Sequence, residues 1–539
     1  MNEPTATTNV STELNTSAAL NANRQIARAA GTVMLALVIS QIAGLVQSIL
    51  IAHTFGTQRE LDAFYAANRV SETLFVLVSA GALSSAFIPA FTTFLAKDDR
   101  KSAWKLASAV ANLVLLTLSL LAALAAFFAP QIVRYALSPG LANDPALFSL
   151  TVDLLRIQLV SSVLFGLGGL VVAILNSHQV FFVPALTPAM YRLGMIFGVL
   201  ALAPRMGIYG LAWGANIGAV FYLALQIPSL VRQKGTYTLS LGLKNPAVGE
   251  VLRLMGPRVF GVAIVQLNFW VNIWLASQMT EGSVSAVTYG FTFMLMAQAA
   301  IAQSVATAAM PTLSAQYALG KMDELRNTLS ASLRGVILLS LPASLGLILL
   351  RGSVIAMIYE RGAFDAQSTQ MVAWALLWYA AGLVGHSLLE VLARAFYALH
   401  DTKTPVLVGA AAMSLNVVFS FAFSALFTSL GWMPHGGLAL ANSLATALEA
   451  VTLFVLMRRR LKSIEGANVA RGFGQAVLAT LGMSLALLAW LQFASQYSAW
   501  VVTLGGVLVG GALYGLGVWA LQVPEVHSAI QAIQRKLSG

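Results

Sequence analysis

The sequence predicts an all-α polytopic membrane protein with about 14 transmembrane helices, arranged as two pseudo-symmetric six-helix lobes plus two C-terminal helices. Of the 539 residues, 58% are hydrophobic and only 9% are charged, and the mean hydropathy is +0.79. Such values lie well outside the range of soluble globular chains. Successive apolar stretches are also long enough to cross about 30 Å of hydrocarbon.

A repeated order of prolines and a Gly-Leu-Ala string divides the chain into two related halves. Pro89, Pro184 and the Gly-Leu-Ala at 210–212 recur in the same order as Pro311, Pro405 and the Gly-Leu-Ala at 437–439. Each pair is separated by roughly 220 residues. Because duplicated bundles with a site between them are typical of secondary transporters, this repeat favours a translocation function.

The apolar stretches set the predicted spans and domains. The spans lie near 31–53, 62–95, 104–129, 149–175, 180–203, 207–231, 253–277, 285–310, 332–358, 370–398, 405–429, 436–457, 473–495 and 499–521. The predicted domains are a disordered cytoplasmic tail at 1–22, an N-lobe with the first six spans at 23–235, a C-lobe with the next six at 236–460, two further spans at 461–522, and a cytoplasmic amphipathic tail at 523–539. Val526, Ile530 and Ile533 share one helical face of that last tail.

The net charge of +11 is best explained by orientation in the membrane rather than by nucleic-acid binding. With a cytoplasmic N-terminus, about 21 Lys and Arg residues fall on the cytoplasmic side and about 5 on the other. The positive-inside rule therefore predicts that both termini are cytoplasmic.

The sequence contains no recognisable arrangement of residues for enzyme chemistry. It has no Cys, and its six His residues show no H-x-x-x-H spacing, so neither a metal hydrolase nor a thiol-ligated site is predicted. A G-x-x-x-x-G-K-[ST] phosphate loop is also absent, which argues against ATP hydrolysis. We expect no enzyme activity, cofactor or metal, and transport driven by the membrane potential, by a monovalent ion gradient or by consumption of the product.

Several strings resemble the MurJ (MviN) family, the proposed lipid II flippases of the multidrug/oligosaccharidyl-lipid/polysaccharide exporter superfamily. The similar strings are GTQRELDAFYAA at 56–67, AGALSSAFIPAF at 80–91, GLAWGANIGAVFYLALQIPSL at 210–230, MPTLSAQYALGKMDELR at 310–326, ERGAFDAQST at 360–369 and LARAFYALHDTKTPV at 392–406. The resemblance implies a fourteen-helix carrier that moves an undecaprenyl-pyrophosphate-linked peptidoglycan precursor from the cytoplasmic to the outer leaflet by alternating access. It also implies residence in the bacterial cytoplasmic (inner) membrane and a role in cell wall biogenesis and cell shape.

The sequence departs from the family at its cavity arginines. The family's R-x-x-G-x-x-R-D pattern in the first helix is replaced here by Gln41, Gly44, Gln47 and Ser48. A pair of arginines before the family's AEGA-like motif corresponds to Phe75 and Val76, and the Glu of that motif to Ala80. A further cavity arginine in the eighth helix corresponds to Thr292, while the Asp of DAFYAA is kept as Asp62. Since a pyrophosphate is bound best by arginine forks, these changes bear directly on the substrate.

Ionisable residues inside predicted spans are the candidate functional residues. The candidates for substrate binding or coupling are Asp62, Arg69, Glu72 and Arg258, together with the neutral residues at the replaced family positions, Gln41, Gln47, Ser48 and Thr292. Arg69 and Glu72 could instead pair with each other on one helical face, and Arg258 could snorkel to the headgroups. Pro257, just before it, could open a discontinuity in the seventh span. Arg192 is a less telling candidate, but it lies near the middle of the fifth span and could face the cavity.

Two further pairs have roles that the sequence leaves open. Glu390 and Arg394 have the favourable i, i+4 order, which fits either a gate at the cytoplasmic end or ordinary helix packing. Asn268 and Asn272, one turn apart, could hold an ion or a substrate sugar in a polar cavity, or could simply bond neighbouring helices.

The alternatives to a lipid II flippase are a flippase for another lipid-linked glycan, a drug/cation antiporter of the same superfamily, and a non-transporting cell-wall assembly scaffold. The expected partners are a lipid-linked glycan, membrane lipids and cell-wall synthesis machinery, with no nucleic acid.

Overall fold

The computed structural model describes residues 32–78, 82–463 and 466–523. The predicted tail at 1–22 and all but the first residue of the tail at 523–539 lie outside these ranges. The α-helices are α1 Thr32–Phe55, α2 Arg59–Val78, α3 Ala82–Ala96, α4 Arg100–Phe127, α5 Ala129–Gln131, α6 Pro145–Ser177, α7 Phe182–Phe197, α8 Ala203–Met206, α9 Ile208–Ala224, α10 Ile227–Arg232, α11 Pro246–Ala276, α12 Ser283–Gln298, α13 Ser304–Ala318, α14 Met322–Tyr359, α15 Ala366–Ala381, α16 Leu383–Ala398, α17 Lys403–Ser429, α18 His435–Arg460, α19 Gly466–Ala494 and α20 Ala499–Ala520.

The helices confirm the predicted all-α polytopic class. Among the described residues, twelve are long and apolar enough to cross a membrane, some of them joined end to end, and the pair α15 and α16, bent by 48°, makes a thirteenth. The predicted second span, 62–95, corresponds to α2 and α3, and residues 79–81 between them lie outside the described ranges. About fourteen spans are therefore consistent with the structure.

Irregular turns interrupt two of the spans. π-Helical segments at Gly198–Leu202 and Ala299–Gln303 follow α7 and α12 directly, so that each helix continues into the next with a local widening. Such segments are frequent at functional positions. The discontinuity predicted at Pro257 is wrong, because α11 runs unbroken from Pro246 to Ala276.

The chain forms two compact units whose bounds differ from the predicted lobes. Among the described residues, unit 1 contains 32–51, 70–129 and 152–262, and unit 2 contains Ala52–Arg69, Pro130–Thr151 and 263–523. Residues 52–69 thus belong to the first sequence half but pack with the second. This exchange places the beginning of α2 against helices of unit 2.

Unit 1 is held together by an apolar core and by a close helix pair. Phe87, Phe91 and Trp104 lie in a buried cluster of α3, α4, α6 and α11. Helices α7 and α9 meet through glycines, since a β-carbon on Gly194 would lie 2.1 Å from the Cα of Gly218. Small residues at this spacing allow backbones to approach closely in a membrane.

Unit 2 has one large core and a second packing surface for the two C-terminal helices. Leu329, Leu333 and Phe396 are fully buried among α13, α14, α16 and α18. Helices α19 and α20 pack on α14, where the Tyr514 hydroxyl donates to the carbonyl of Leu338 at 2.6 Å. The two spans that the sequence sets apart are therefore integrated into unit 2.

Candidate functional site

A guanidinium group lies against the first helix, on the face where the sequence has lost its family arginines. A β-carbon built on Gly44 of α1 would lie only 1.0 Å from Nη1 of Arg192 and 2.3 Å from its Cζ. The missing side chain of Gly44 therefore provides the space that the Arg192 head occupies. Arg192 is half-buried on α7, and its long side chain brings a positive charge to α1 within unit 1.

The neutral candidates of α1 lie close to this cation in sequence. Gln41 and Gln47 are three residues before and after Gly44, a spacing that places side chains on neighbouring parts of one helical face. Gln41 is exposed, and Gln47 and Ser48 are half-buried. The face of α1 around Gly44 thus carries amide and hydroxyl groups, and the full positive charge is supplied by Arg192 of α7.

Glu72 and Arg192 share a neighbour in unit 1. The charges of both residues act on the hydroxyl of Tyr191, whose ring lies against Gly218 of α9. Glu72 itself is exposed on α2. The carboxylate of Glu72 and the guanidinium of Arg192 are therefore both near Tyr191 in unit 1.

The other predicted cations and Thr292 are distributed over α2, α11 and α12. The Cζ of Arg69 lies 4.7 Å from the centroid of the Phe269 ring, a cation–π contact between α2 and α11 within unit 2. Arg258 is exposed on α11 and Thr292 is exposed on α12. The predicted ion pair of Arg69 with Glu72 stays a prediction.

Asp62 caps a helix from a distant part of the chain. Its Oδ2 accepts from the backbone N–H of Gly282 at 2.8 Å, and its Oδ1 accepts from the backbone N–H and the hydroxyl of Ser285 at 2.7 and 2.6 Å. Helix α12 begins at Ser283, directly after Gly282 in the left-handed conformation. These N–H groups have no partner inside the helix, so the carboxylate of Asp62 takes the place of a local N-cap side chain.

Further contacts surround this cap and join the same segments of unit 2. The Thr57 and Ser368 hydroxyls lie 2.9 Å apart, and Arg59 pairs with Glu281 at 3.1 Å. The backbone N–H of Ala363 donates to the carbonyl of His53 at 2.8 Å. We call the set of Asp62, Gly282, Ser285, Thr57 and Ser368 the outer clasp, because the positive-inside rule predicts that this end faces away from the cytoplasm.

The burial of Asp62 changes how its predicted role must be understood. The sequence places it among substrate-binding or coupling residues, yet only 3% of it is exposed and both carboxylate oxygens accept hydrogen bonds. In the structure the Asp62 carboxylate caps the N-terminus of α12. A contact with substrate or a coupling ion requires the outer clasp to open.

Asn268 and Asn272 belong to a hydrogen-bonded cluster between α11 and α17. The Asn268 Oδ1 accepts from Nδ2 of Asn272 at 3.2 Å and from Nδ2 of Asn416 at 3.4 Å. The Ser420 hydroxyl lies 3.2 Å from Oδ1 of Asn272 and 3.1 Å from Oδ1 of Asn416. All four side chains are neutral and bond to one another, which agrees with the interhelical alternative left open by the sequence. Within the described ranges, no group of three or more His, Asp or Glu residues is placed to hold a metal ion.

Glu390 and Arg394 form the ion pair that their spacing predicts, and Arg394 also binds the neighbouring helices. Nη2 of Arg394 lies 2.6 Å from Oε1 of Glu390, with about a quarter of each side chain exposed. Nη1 donates to the hydroxyl of Thr307 on α13 and, at 3.4 Å, to the carbonyl of Gln303 in the π-helical segment. Arg394 of this pair thus connects α16 to α13. The role of the pair as a gate stays a prediction.

Replacement of Arg394 by Ala is expected to destabilise the protein more than replacement of Glu390 by Ala. The first change removes three contacts at a cost of about 2 kcal/mol, whereas the second removes one at about 1 kcal/mol. A double-mutant cycle measured by unfolding in mixed micelles should give a coupling of about 1 kcal/mol or less. Equal losses for the two single variants would contradict the assignment of the contacts with Thr307 and Gln303.

Comparison with known proteins places the chain in a family. The profile of the family described as "Lipid II flippase MurJ" matches residues 51–507. The lipid II flippase MurJ of Burkholderia cenocepacia is 30% identical over 428 residues, which cover 78% of this chain and 82% of the relative. The probable lipid II flippase MurJ of Vibrio cholerae is 29% identical over 493 residues, covering 89% and 92% of the two chains.

Solved structures agree with the fold. A lipid II flippase MurJ in an inward closed conformation matches with a TM-score of 0.77 at 24% identity, covering 91% of this chain and 98% of that one. An inward-facing multidrug resistance MATE transporter of the MOP superfamily matches with a TM-score of 0.68 at 15% identity, covering 79% and 96%. At these identities the two matches establish the fold alone. Because the family profile spans most of the sequence and a relative with 30% identity is covered over more than two thirds of both lengths, the chain belongs to the MurJ lipid II flippase family.

Proposed function

We propose that this protein is a flippase that moves lipid II, the undecaprenyl-pyrophosphate-linked peptidoglycan precursor, from the cytoplasmic to the outer leaflet by alternating access. The observation that carries the proposal is the Arg192 guanidinium lying against Gly44 of α1. It supplies a cation to a helix face that the sequence alone shows as neutral. Family membership supplies the substrate class.

The chemistry of the headgroup explains why this cation matters. A pyrophosphate carries concentrated negative charge, and a guanidinium binds phosphate oxygens with two parallel N–H bonds. The amides of Gln41 and Gln47 can donate further bonds without neutralising charge. Arg192 therefore takes over the electrostatic role of the missing arginines, while the neutral residues orient the headgroup and the prenyl chain remains in lipid.

Transport of a headgroup requires that the two sides of the membrane open in turn. The outer clasp is closed in this structure, with Asp62 bonded to the first turn of α12. When the hydrogen bonds of Asp62 to α12 break, the beginning of α2 is free to move. When these bonds form again, the carrier returns to the state with a closed outer clasp. The energy source proposed is the membrane potential, a monovalent ion gradient or consumption of lipid II on the far side, with no cofactor and no catalytic step.

We further propose residence in the bacterial cytoplasmic membrane with both termini in the cytoplasm, and cell-wall synthesis machinery as a partner. A flippase for a different lipid-linked glycan is the second candidate, because the face of α1 presents amides where family members carry arginines. An amide-lined site suits a sugar as well as it suits a phosphate.

The function is tested by measuring lipid II accessibility at the outer leaflet in cells depleted of their own flippase. Supply of this chain should restore export. Stable insertion without export of lipid II, combined with export of another lipid-linked glycan, would support the second candidate. Stable insertion without export of lipid II or of another lipid-linked glycan would favour the non-transporting cell-wall assembly scaffold.

A further inference from the structure

An apolar groove on the surface of unit 2 ends in a cluster of cations. The groove has a volume of about 560 Å³ and is walled by α14, α16, α18 and α19. Leu333, Ile337 and Phe473 are among its lining residues, and Arg458 lies at one end. This volume falls within the range of about 300–1,000 Å³ that is usual for ligand pockets.

A second cavity, lined by both cations and apolar side chains, adjoins the groove at that end. It has a volume of about 430 Å³ and is lined by Phe454, Val455, Arg458, Arg459 and Lys462. Phe454 and Arg458 line both cavities. The surface therefore passes directly from apolar side chains to three cations.

The three cations of this cavity are available to a ligand. Arg460, beside them, is neutralised by Asp401, and Arg326 donates to the carbonyl of Leu461. In the part of the chain that the structure describes, no carboxylate pairs with Arg458, Arg459 or Lys462. All three are exposed, and the positive-inside rule places them at the cytoplasmic surface.

We propose that this groove binds one anionic glycerophospholipid of the cytoplasmic leaflet, with an acyl chain between α18 and α19 and the phosphate at Arg458, Arg459 and Lys462. Charge complementarity selects an anionic headgroup, since basic pockets between transmembrane helices on the cytoplasmic side bind such lipids. All walls of the groove belong to unit 2, so the lipid holds α19 against α14 and α18 and is not itself carried.

The test is native mass spectrometry of the full-length chain in neutral detergent, titrated with phosphatidylglycerol and separately with zwitterionic phosphatidylcholine. The wild type should retain one phosphatidylglycerol in preference to phosphatidylcholine. A variant carrying Arg458→Gln, Arg459→Gln and Lys462→Gln should bind phosphatidylglycerol on the order of 100-fold more weakly, at about 1 kcal/mol for each cation lost.

Two further variants separate the site from general charge and from folding. Lys97→Gln, Lys101→Gln and Lys105→Gln remove the same charge from exposed positions in unit 1 and should leave binding unchanged. Ala470→Trp fills the groove while keeping every cation, and should also weaken binding. Unaltered binding in the Arg458/Arg459/Lys462 variant overturns the proposal, as does equal retention of both phospholipids. Binding of undecaprenyl pyrophosphate with no retention of phosphatidylglycerol also overturns it, by assigning the groove to another occupant.

Discussion

Arg192→Gln is expected to reduce export of lipid II by about 10- to 100-fold in cells that depend on this chain. The change removes a guanidinium that lies against Gly44 on the face of α1 that holds Gln41 and Gln47. A charge-assisted hydrogen bond to phosphate contributes about 1.5–3 kcal/mol, and each 1.36 kcal/mol corresponds to a tenfold change in rate. Export is measured as accessibility of lipid II at the outer leaflet, normalised to the amount of protein in the membrane.

Three companion variants make this result specific. Arg156→Gln removes the same charge from a half-exposed position of unit 1, where Arg156 lies 4.0 Å from Asp153, and should export normally. Arg192→Lys keeps the charge but loses the planar fork, so that activity should return only in part. Gly44→Ala keeps the guanidinium but places a methyl group where it lies, and should give an intermediate loss. Normal export by Arg192→Gln would show that the headgroup is bound elsewhere.

The contrast between Arg192 and the replaced arginines indicates what sequence reasoning can and cannot find. Hydropathy and the repeat are local or periodic signals, and they are sufficient to predict the class and most of the span positions, with a number of spans that is consistent with the structure. The approach of Arg192 to Gly44 joins residues from two separate spans, and no spacing rule along one helix can reveal it. Two separate signals were available: an arginine near the middle of the fifth span, and the glycine of α1 at the position of the glycine in the family pattern.

The α15–α16 pair and Pro257 show the same limit at the level of the backbone. The sequence predicts one span at 370–398, whereas the structure bends by 48° at Gly382, where a β-carbon would lie 2.4 Å from the Ser443 hydroxyl. Close packing on α18 therefore fixes that bend. Pro257 suggests a break in α11, yet the helix continues. Whether a proline or a glycine interrupts a membrane helix depends on neighbouring helices, which a single sequence does not specify.

Asp62→Ala is expected to destabilise the protein by about 3 kcal/mol and to reduce export as a consequence. The carboxylate accepts three hydrogen bonds at the first turn of α12. Its removal leaves the backbone N–H groups of Gly282 and Ser285 buried without an acceptor, which costs more than the net value of the bonds themselves. Loss of a helix cap alone costs about 1 kcal/mol, and up to about 2. The measurement is the free energy of unfolding in mixed micelles, with export measured in parallel.

Ser285→Ala is the matched control, because it removes one hydroxyl donor and leaves both backbone bonds to Asp62 in place. It should lower the free energy of unfolding by about 1 kcal/mol. The double variant Asp62→Ala/Ser285→Ala should be within a few tenths of a kcal/mol of Asp62→Ala in stability, because the Ser285 hydroxyl has already lost its acceptor in Asp62→Ala. This pattern identifies Asp62 as the cap that holds the outer clasp of unit 2 closed. If Asp62→Ala instead keeps full stability and loses export, its carboxylate acts on substrate or a coupling ion in the open state. If stability falls while the folded fraction still exports normally, the clasp contributes to folding alone, and the gate must lie in other contacts.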